Sequence, residues 1–96
     1  MFIISLTYQK NLAEVDAHLS AHVEFLKDNY AKGLFLASGR KNPRTGGVIL
    51  ALAANKAEME AIIARDPFYI HGVATYEITE FIASMTSPHV EFLANK

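Results

Sequence analysis

The spacing of apolar residues changes several times along the chain. The order of these changes limits the possible folds more than any other feature of the sequence. Residues 2–8 alternate between a bulky apolar set and a smaller set, which predicts a β-strand. From residue 12 to about residue 32 the apolar side chains instead recur three and four positions apart, which predicts an amphipathic helix. Asn11 is a suitable N-cap for that helix, and Gly33 supplies the left-handed residue that commonly follows a helix.

The middle of the chain carries two further strands. Short apolar runs at residues 34–38 and 48–53 predict the second and third strands. Between them, residues 39–47 read GRKNPRTGG, with three glycines, a proline and three cations. This composition predicts a long hairpin loop.

The last third of the chain completes the pattern. Asn55, three residues before Glu58, predicts a capped helix that ends near Arg65. Residues 73–82 alternate again and predict a final strand. The order β-α-β-β-α-β is that of a ferredoxin-like α+β sandwich, in which two helices cover one face of a four-stranded antiparallel sheet.

Helices on one face leave the other face of the sheet for water or a partner. The strand positions that we assign to this face carry no charge: Ile3, Ser5, Phe35, Ala37, Ile49, Ala51 and Ala53. An uncharged sheet face usually packs on something, and symmetric dimers are the commonest soluble oligomers. We therefore predict a homodimer that packs sheet on sheet. The alternative is a monomer whose tail, residues 83–96, covers the face.

The composition excludes several classes of partner and of chemistry. Nine basic and ten acidic residues give a net charge of −1, too little to attract nucleic acid or an anionic membrane. The chain has no cysteine, which excludes disulfides and thiolate catalysis, and no run approaches the ~18 apolar residues of a membrane span. The first residues lack the features of a signal peptide, so we expect a cytoplasmic protein.

His22 is an anomaly in the predicted helix, because it lies on the face that must meet the sheet. Asp66 follows the second helix and begins the sequence Asp66-Pro67-Phe68. In a ferredoxin-like domain the end of the second helix can approach the middle of the first. A carboxylate there can accept from one ring nitrogen of His22 and make the other nitrogen a better base.

Each residue of this pair also has a purely structural explanation. His22 can be a boundary histidine bonded to a backbone carbonyl, and Asp66 can be the N-cap of a helical turn whose first residue is Pro67. The two explanations of Asp66 are compatible, because a carboxylate has several lone-pair directions.

Other side chains with chemical potential are less specific. Arg40 and Arg44 can hold an anionic group of a ligand, or they can be solvated loop charges. His18 and His22 have the i, i+4 spacing of metal ligands, but no carboxylate at ligand spacing accompanies them, so we predict no metal site. His71 either borders the cleft or lies in a loop.

A short segment of the tail repeats part of the first helix. Residues 89–93 repeat residues 22–26 (HVEFL) letter for letter, but five residues are too few for a repeat architecture. We predict a short amphipathic turn after Ser87-Pro88, without a catalytic role.

Three longer segments resemble the YCII-related (YciI-like) family: AHVEFLKDNYAKG, LASGRKNPRTGGVILA and RDPFYIHGVATYEITEF. The resemblance runs over residues 1–82, which we take as the domain, with residues 83–96 as a tail that packs on its own or a partner domain. It implies a ferredoxin-like fold that dimerises through its sheets, as in the dimeric α/β-barrel superfamily. It also implies a His–Asp site, which maps onto His22 and Asp66.

The family resemblance also bears on activity. One related enzyme type is a dehydrochlorinase that acts on a chlorinated hydroxyhydroquinone, and muconolactone isomerases share the broader fold. The family turn often reads Ser-Gly-Pro, whereas this chain reads Ser38-Gly39-Arg40 and places a cation where relatives have a proline.

Together these observations favour a small lyase or isomerase that needs no cofactor. His22 would be the general acid/base, Asp66 would orient it, and the substrate would be a small cyclic or enolisable molecule. The remaining predicted ligand contacts are Tyr8, Phe68, Ser38, Arg40, Arg44 and His71. The alternatives are a non-catalytic dimer that binds a metabolite, and an accessory protein whose histidine only satisfies a buried hydrogen bond.

Overall fold

The computed structural model describes all residues, 1–96, and has the predicted ferredoxin-like architecture. Its elements are, in order, β1 (Phe2–Tyr8), α1 (Leu12–Ala31), β2 (Phe35–Arg40), β3 (Gly46–Ala51), α2 (Lys56–Ile63), α3 (Pro67–Ile70), β4 (Ala74–Glu80) and a 3₁₀ helix (Pro88–Leu93). The strands form one antiparallel sheet in the order β2-β3-β1-β4, so β1 and β3 are central. The one-turn helix α3 is an addition to the predicted pattern.

Both predicted N-caps are present. The side-chain oxygen of Asn11 accepts from the backbone N–H of Glu14 at 2.9 Å, and that of Asn55 accepts from Glu58 at 2.9 Å. After α1, Gly33 takes the left-handed conformation, with φ of 72°. Helix α2 ends at Ile63, two residues before the predicted end, and the extended backbone of Asp66 begins α3.

The hairpin between β2 and β3 is shorter than predicted. The predicted loop over residues 39–47 was wrong at both ends, because Gly39 and Arg40 pair with Val48 and Gly47 in the ladder. Gly46 also lies in the sheet, where a Cβ would overlap the backbone carbonyl of Leu6. The glycines at the end of the predicted loop therefore permit close approach of strands. Local composition alone cannot distinguish glycines in this role from glycines in a turn.

The predicted assignment of sheet faces was wrong for four residues. Ile49 pairs with Ile4, and Ala51 pairs with Phe2, so both belong to the row that faces the helices. Phe35 is buried in the same core, and Ala53 packs against it. Both alternating sets of β3 are apolar, so its sequence does not indicate which set faces inward. The opposite, helix-free face of the sheet carries Ile3, Ser5, Ala37, Val48 and Leu50.

The main core lies between the sheet and the helices. It consists of twelve buried apolar residues: Phe2, Ile4, Leu6, Val15, Phe35, Ile49, Ala51, Met59, Ile63, Phe68, Val73 and Ala74. Helix α1 buries Val15, His22 and Asn29, which recur every seven positions on one line. The predicted apolar stripe is thus only partly buried, and Leu12, Leu19 and Tyr30 are more than a third exposed.

The tail packs on the helix-free side of the sheet. Ala83 and Leu93 form a small cluster with Met1, against which Leu36, Leu50 and Leu52 pack. This cluster covers only part of the helix-free face, because Ile3 and Val48 remain 38% and 39% exposed. None of the helices combines the length and apolar character that crossing a bilayer requires.

The two glycines Gly46 and Gly39 should respond oppositely to an added methyl group. Gly46→Ala should lower the free energy of unfolding by about 2 kcal/mol or more, because the new Cβ overlaps backbone of β1 that cannot move aside. Gly39→Ala should change it by less than about 1 kcal/mol, because nothing lies within 4 Å of the new Cβ. Urea unfolding followed by circular dichroism measures both values, and equal losses would contradict the assigned strand pairing.

Candidate active site

The site is built on a contact between the middle of α1 and the start of α3. His22 is buried on α1, and its Nδ1 lies 2.8 Å from Oδ1 of Asp66. The same Oδ1 accepts from the backbone N–H of Phe68 at 3.0 Å, so Asp66 is also the N-cap of α3. The predicted contact is present, and the same carboxylate oxygen both caps α3 and bonds His22.

Tyr76, which was not among the predicted site residues, completes the surroundings of the carboxylate. Its hydroxyl donates to Oδ2 of Asp66 at 2.5 Å. On β4, Tyr76 pairs with Leu6 of β1 and therefore lies in the row that faces the helices. A tyrosine in a core-facing row usually needs a partner for its hydroxyl, and that requirement was the available signal.

The contacts of Asp66 determine which nitrogen of His22 is left without a partner in the protein. Asp66 is 0% exposed, and a carboxylate that accepts from an N–H and an O–H is placed to accept from Nδ1–H as well. The remaining nitrogen, Nε2, has no hydrogen-bond partner in the protein and retains contact with solvent. Nε2 is therefore the nitrogen that can exchange a proton with a bound molecule.

Stacked rings hold the imidazole in place. The ring of His22 lies on that of Phe68, with centroids 4.0 Å apart and planes 4° apart. The next turn repeats the arrangement with His18 on His71, at 4.3 Å and 18°. With one nitrogen bonded to Asp66 and one face covered by Phe68, the imidazole of His22 has little freedom to rotate.

A cavity of about 240 Å³ lies beside His22, between α1 and the β2–β3 hairpin. Eight of its thirteen lining residues are hydrophobic, and an apolar cavity of about 150 Å³ is enough to hold benzene. The lining is Leu6, Tyr8, Leu19, His22, Val23, Leu26, Ser38, Gly39, Arg40, Gly47, Val48, Ile49 and Phe68. One substituted six-membered ring therefore fits the available space.

The structure separates the two arginines that the sequence left equivalent. Arg40 pairs with Gly47 in the row that faces the helices, lines the cavity and forms no ion pair. Arg44 instead binds Asp16 of α1, with Nη2 and Oδ1 2.6 Å apart. This hydrogen bond raises the pKa of the Arg44 guanidinium above its ordinary value. Arg40 is thus a cation of the cavity lining without an ion-pair partner.

The other predicted contacts divide in the same way. Tyr8, Ser38 and Phe68 line the cavity together with His22, whereas His71 does not. The hydroxyl of Ser38 lies 2.6 Å from that of Tyr30, which is not itself part of the cavity lining. No group of three or more potential metal ligands forms in the structure.

Comparison with known proteins extends these observations. The model of the family described as YCII-related domain matches residues 1–82. The solved structure of 5-chloro-2-hydroxyhydroquinone dehydrochlorinase from Burkholderia phenoliruptrix, in complex with 2,5-dihydroxybenzoquinone, is similar at a TM-score of 0.73 and 17% identity. The match covers 92% of this chain and 96% of that chain, and at this identity it shows the fold. No curated protein matches the chain in sequence.

Tyr76 should make the protein sensitive to alkali. Burial, reinforced by the charge of Asp66, raises the pKa of Tyr76 well above its ordinary value of 10.0. Above pH 10 the unfolded phenol loses its proton while the folded one keeps it, so the folded state binds more protons and stability falls as the pH rises. We expect this group to remove about 1 kcal/mol per pH unit from the free energy of unfolding above that pH.

The measurement is urea unfolding of the native chain and of Tyr76→Phe at pH values from neutral to strongly alkaline. Tyr76→Phe should lose less stability in alkali than the native chain does. The control is Tyr69→Phe, because Tyr69 is 53% exposed and its hydroxyl forms no hydrogen bond. Parallel alkaline losses in the native chain and Tyr76→Phe would show that the phenol is not held as a buried donor.

Proposed function

The chain belongs to the family of YCII-related domains, and from this premise we propose that it is a small enzyme that transfers protons on a small cyclic or enolisable molecule. The observation that carries the proposal is the arrangement of His22. One ring nitrogen is bonded to a buried carboxylate, the other has no partner in the protein, and the imidazole lines a cavity of about 240 Å³. This is the arrangement that general acid/base catalysis requires.

In the proposed reaction, Nε2 of His22 removes a proton from an acidic C–H or O–H bond of the substrate. The electron pair of that bond moves into the ring or the adjacent carbonyl. Asp66 accepts from Nδ1–H throughout and stabilises the imidazolium that forms. Phe68 keeps the imidazole in one orientation, so little reorganisation accompanies the transfer.

Two reactions can follow this proton transfer without a cofactor. In an elimination, the displaced electron pair expels a leaving group such as chloride, and His22 later gives its proton to water. In an isomerisation, His22 returns the proton to a different atom of the same substrate. The similar dehydrochlorinase structure favours the first outcome, since its bound 2,5-dihydroxybenzoquinone is a six-membered ring of the size that the cavity accepts.

The cavity walls support an acidic substrate. Proton removal leaves an anion, and the unpaired guanidinium of Arg40 on the cavity wall can stabilise that anion. Tyr8 and Phe68 provide apolar walls, and Ser38 provides a hydroxyl for a ring oxygen. A ring that bears hydroxyl, carbonyl or carboxylate groups satisfies each of these contacts.

The proposal predicts loss of proton transfer when the His–Asp pair is changed. We expect the native chain to release chloride from 5-chloro-2-hydroxyhydroquinone, or to exchange a ring proton of 2,5-dihydroxybenzoquinone with deuterated solvent. His22→Gln and Asp66→Asn should lower either rate by about 10²–10⁴-fold, because each removes an essential part of the general base. Chloride assay and mass spectrometry measure the two rates.

The chain contains a matched control for this experiment. His89 occupies the same pentapeptide sequence as His22, but it lies exposed in the C-terminal 3₁₀ helix. His89→Gln should therefore leave both rates unchanged. Activity that survives in His22→Gln would reject the proposal. Binding of 2,5-dihydroxybenzoquinone without any exchange would instead favour the metabolite-binding alternative.

We also propose that the protein is a homodimer joined through its helix-free sheet faces. The central strands place Ile3 and Val48 on this face, where both remain more than a third exposed. The tail beside it exposes further apolar side chains, namely Ile82, Met85 and Phe92. A second copy of the chain would bury both sets, since symmetric association is the commonest way to cover such a surface.

Light scattering tests the dimer directly. The native chain should have twice the mass of a single 10.6 kDa chain. Ile3→Lys should shift the protein to the monomer, because the new charge lies on the helix-free face and outside the main core. Leu12→Lys is the control, since Leu12 is 47% exposed on the helical layer. A mass near 10.6 kDa for the native chain would reject the dimer.

A further inference from the structure

The proposed reaction leaves one half-buried titratable group, Tyr76, without a role. The hydroxyl of Tyr76 donates to Oδ2 of Asp66 at 2.5 Å, on the side of the carboxylate away from His22. Tyr76 is not among the residues that line the cavity, so it does not contact a ligand there. Any effect on the reaction must therefore act through Asp66.

The geometry makes Tyr76 the only partner of one carboxylate oxygen. Oδ1 of Asp66 accepts from both His22 Nδ1 and the Phe68 N–H, whereas Oδ2 accepts from Tyr76 alone. The ring of Tyr69 meets that of Tyr76 edge-on, with centroids 5.7 Å apart, which supports its position. Removal of the Tyr76 hydroxyl would leave Oδ2 without a donor in a site that is 0% exposed.

We propose that Tyr76 is a positioning residue that determines where the His22–Asp66 pair carries its proton, so that Nε2 of His22 is free to act as a base. This inference rests on the proposed function. The property that it concerns, the protonation of the His22–Asp66 pair, can be measured without a substrate. It assigns to Tyr76 a role in base strength rather than in contact with substrate.

The His22–Asp66 pair has two protonation states that matter for its action as a base. With one proton, the pair holds it on Nδ1, Asp66 is ionised, and Nε2 has a free lone pair. With two protons, one lies on Nε2. The other lies either on Nδ1, which gives an imidazolium, or on Oδ1 of Asp66, because Oδ2 already accepts from Tyr76. Only the singly protonated form can accept a substrate proton at Nε2.

The singly protonated form depends most on Tyr76. In that form the negative charge of buried Asp66 has no positive partner, and neutral donors alone stabilise it. The doubly protonated form has either an imidazolium beside Asp66 or a neutral carboxyl group, so it depends less on the Tyr76 hydroxyl. Loss of this hydroxyl should therefore make the pair retain its second proton up to a higher pH.

The other titratable groups around the pair stay the same when Tyr76 changes. They are His18 on α1, Tyr69 and His71 on α3 and its end, Tyr8 on β1 and Arg40 on β2. None of them bonds to Asp66. A shift produced by Tyr76→Phe can therefore be assigned to the lost hydroxyl.

The test is an NMR titration of ¹⁵N-labelled histidines in the native chain, Tyr76→Phe and Tyr69→Phe. In the native chain at high pH, the nitrogen shifts of His22 should show the proton on Nδ1 and a free Nε2. In Tyr76→Phe, the pH midpoint for protonation of Nε2 should rise by about one unit, the size expected from one hydrogen bond to a charge. In Tyr69→Phe it should not move.

An unchanged or lowered midpoint in Tyr76→Phe would overturn the proposal. If Tyr76→Phe does not fold, 3-fluorotyrosine can be incorporated at position 76 instead. Its hydroxyl is a stronger donor, so the pH midpoint of His22 should fall. A midpoint that does not fall would also overturn the proposal. Where a substrate is turned over, the acidic limb of the pH–rate profile should move with the NMR midpoint. Activity in the native chain without a midpoint shift in Tyr76→Phe would leave the proposed function intact and reject the role of Tyr76.

Discussion

The buried carboxylate of Asp66 is the interaction on which the helical layer and the site both depend. A carboxylate with no solvent exposure is strongly unfavourable unless donors surround it. The three donors come from His22 on α1, Phe68 on α3 and Tyr76 on β4. One side chain therefore fixes a helix, a turn and an edge strand relative to one another, and the same bonds orient the imidazole.

The cavity beside His22 results from small residues on the sheet. The row of β1 and β3 that faces the helices places Gly47 beside Leu6, so no side chain fills the space under α1 at that point. Arg40 and Ser38 come from the neighbouring strand and add a cation and a hydroxyl to apolar walls. The buried polar cluster and the unfilled space are both unfavourable for stability, and such departures are expected where a protein has a function.

The fold of the chain and the proposed reaction are supported by different observations. The family match over residues 1–82 and the similar dehydrochlorinase structure establish the architecture. Many unrelated activities share such folds, so the proposed reaction depends on the particular side chains at the cavity. The free Nε2 of His22 suits a substrate that loses a proton, the unpaired Arg40 suits the anion that results, and the volume of the cavity suits a single ring.

Local spacing and recognisable motifs were enough to predict the order of the four strands and the two main helices, both helix caps, and the contact between His22 and Asp66. The features that depend on strand register became evident only from the folded chain. Both faces of β3 are apolar, so pairing with β1 had to show that Ile49 points inward and Val48 outward. Strand pairing placed Arg40 on the cavity, while the Asp16 contact occupies Arg44. Tyr76 reaches Asp66 only because β4 lies beside β1, a long-range relation that local sequence patterns do not contain.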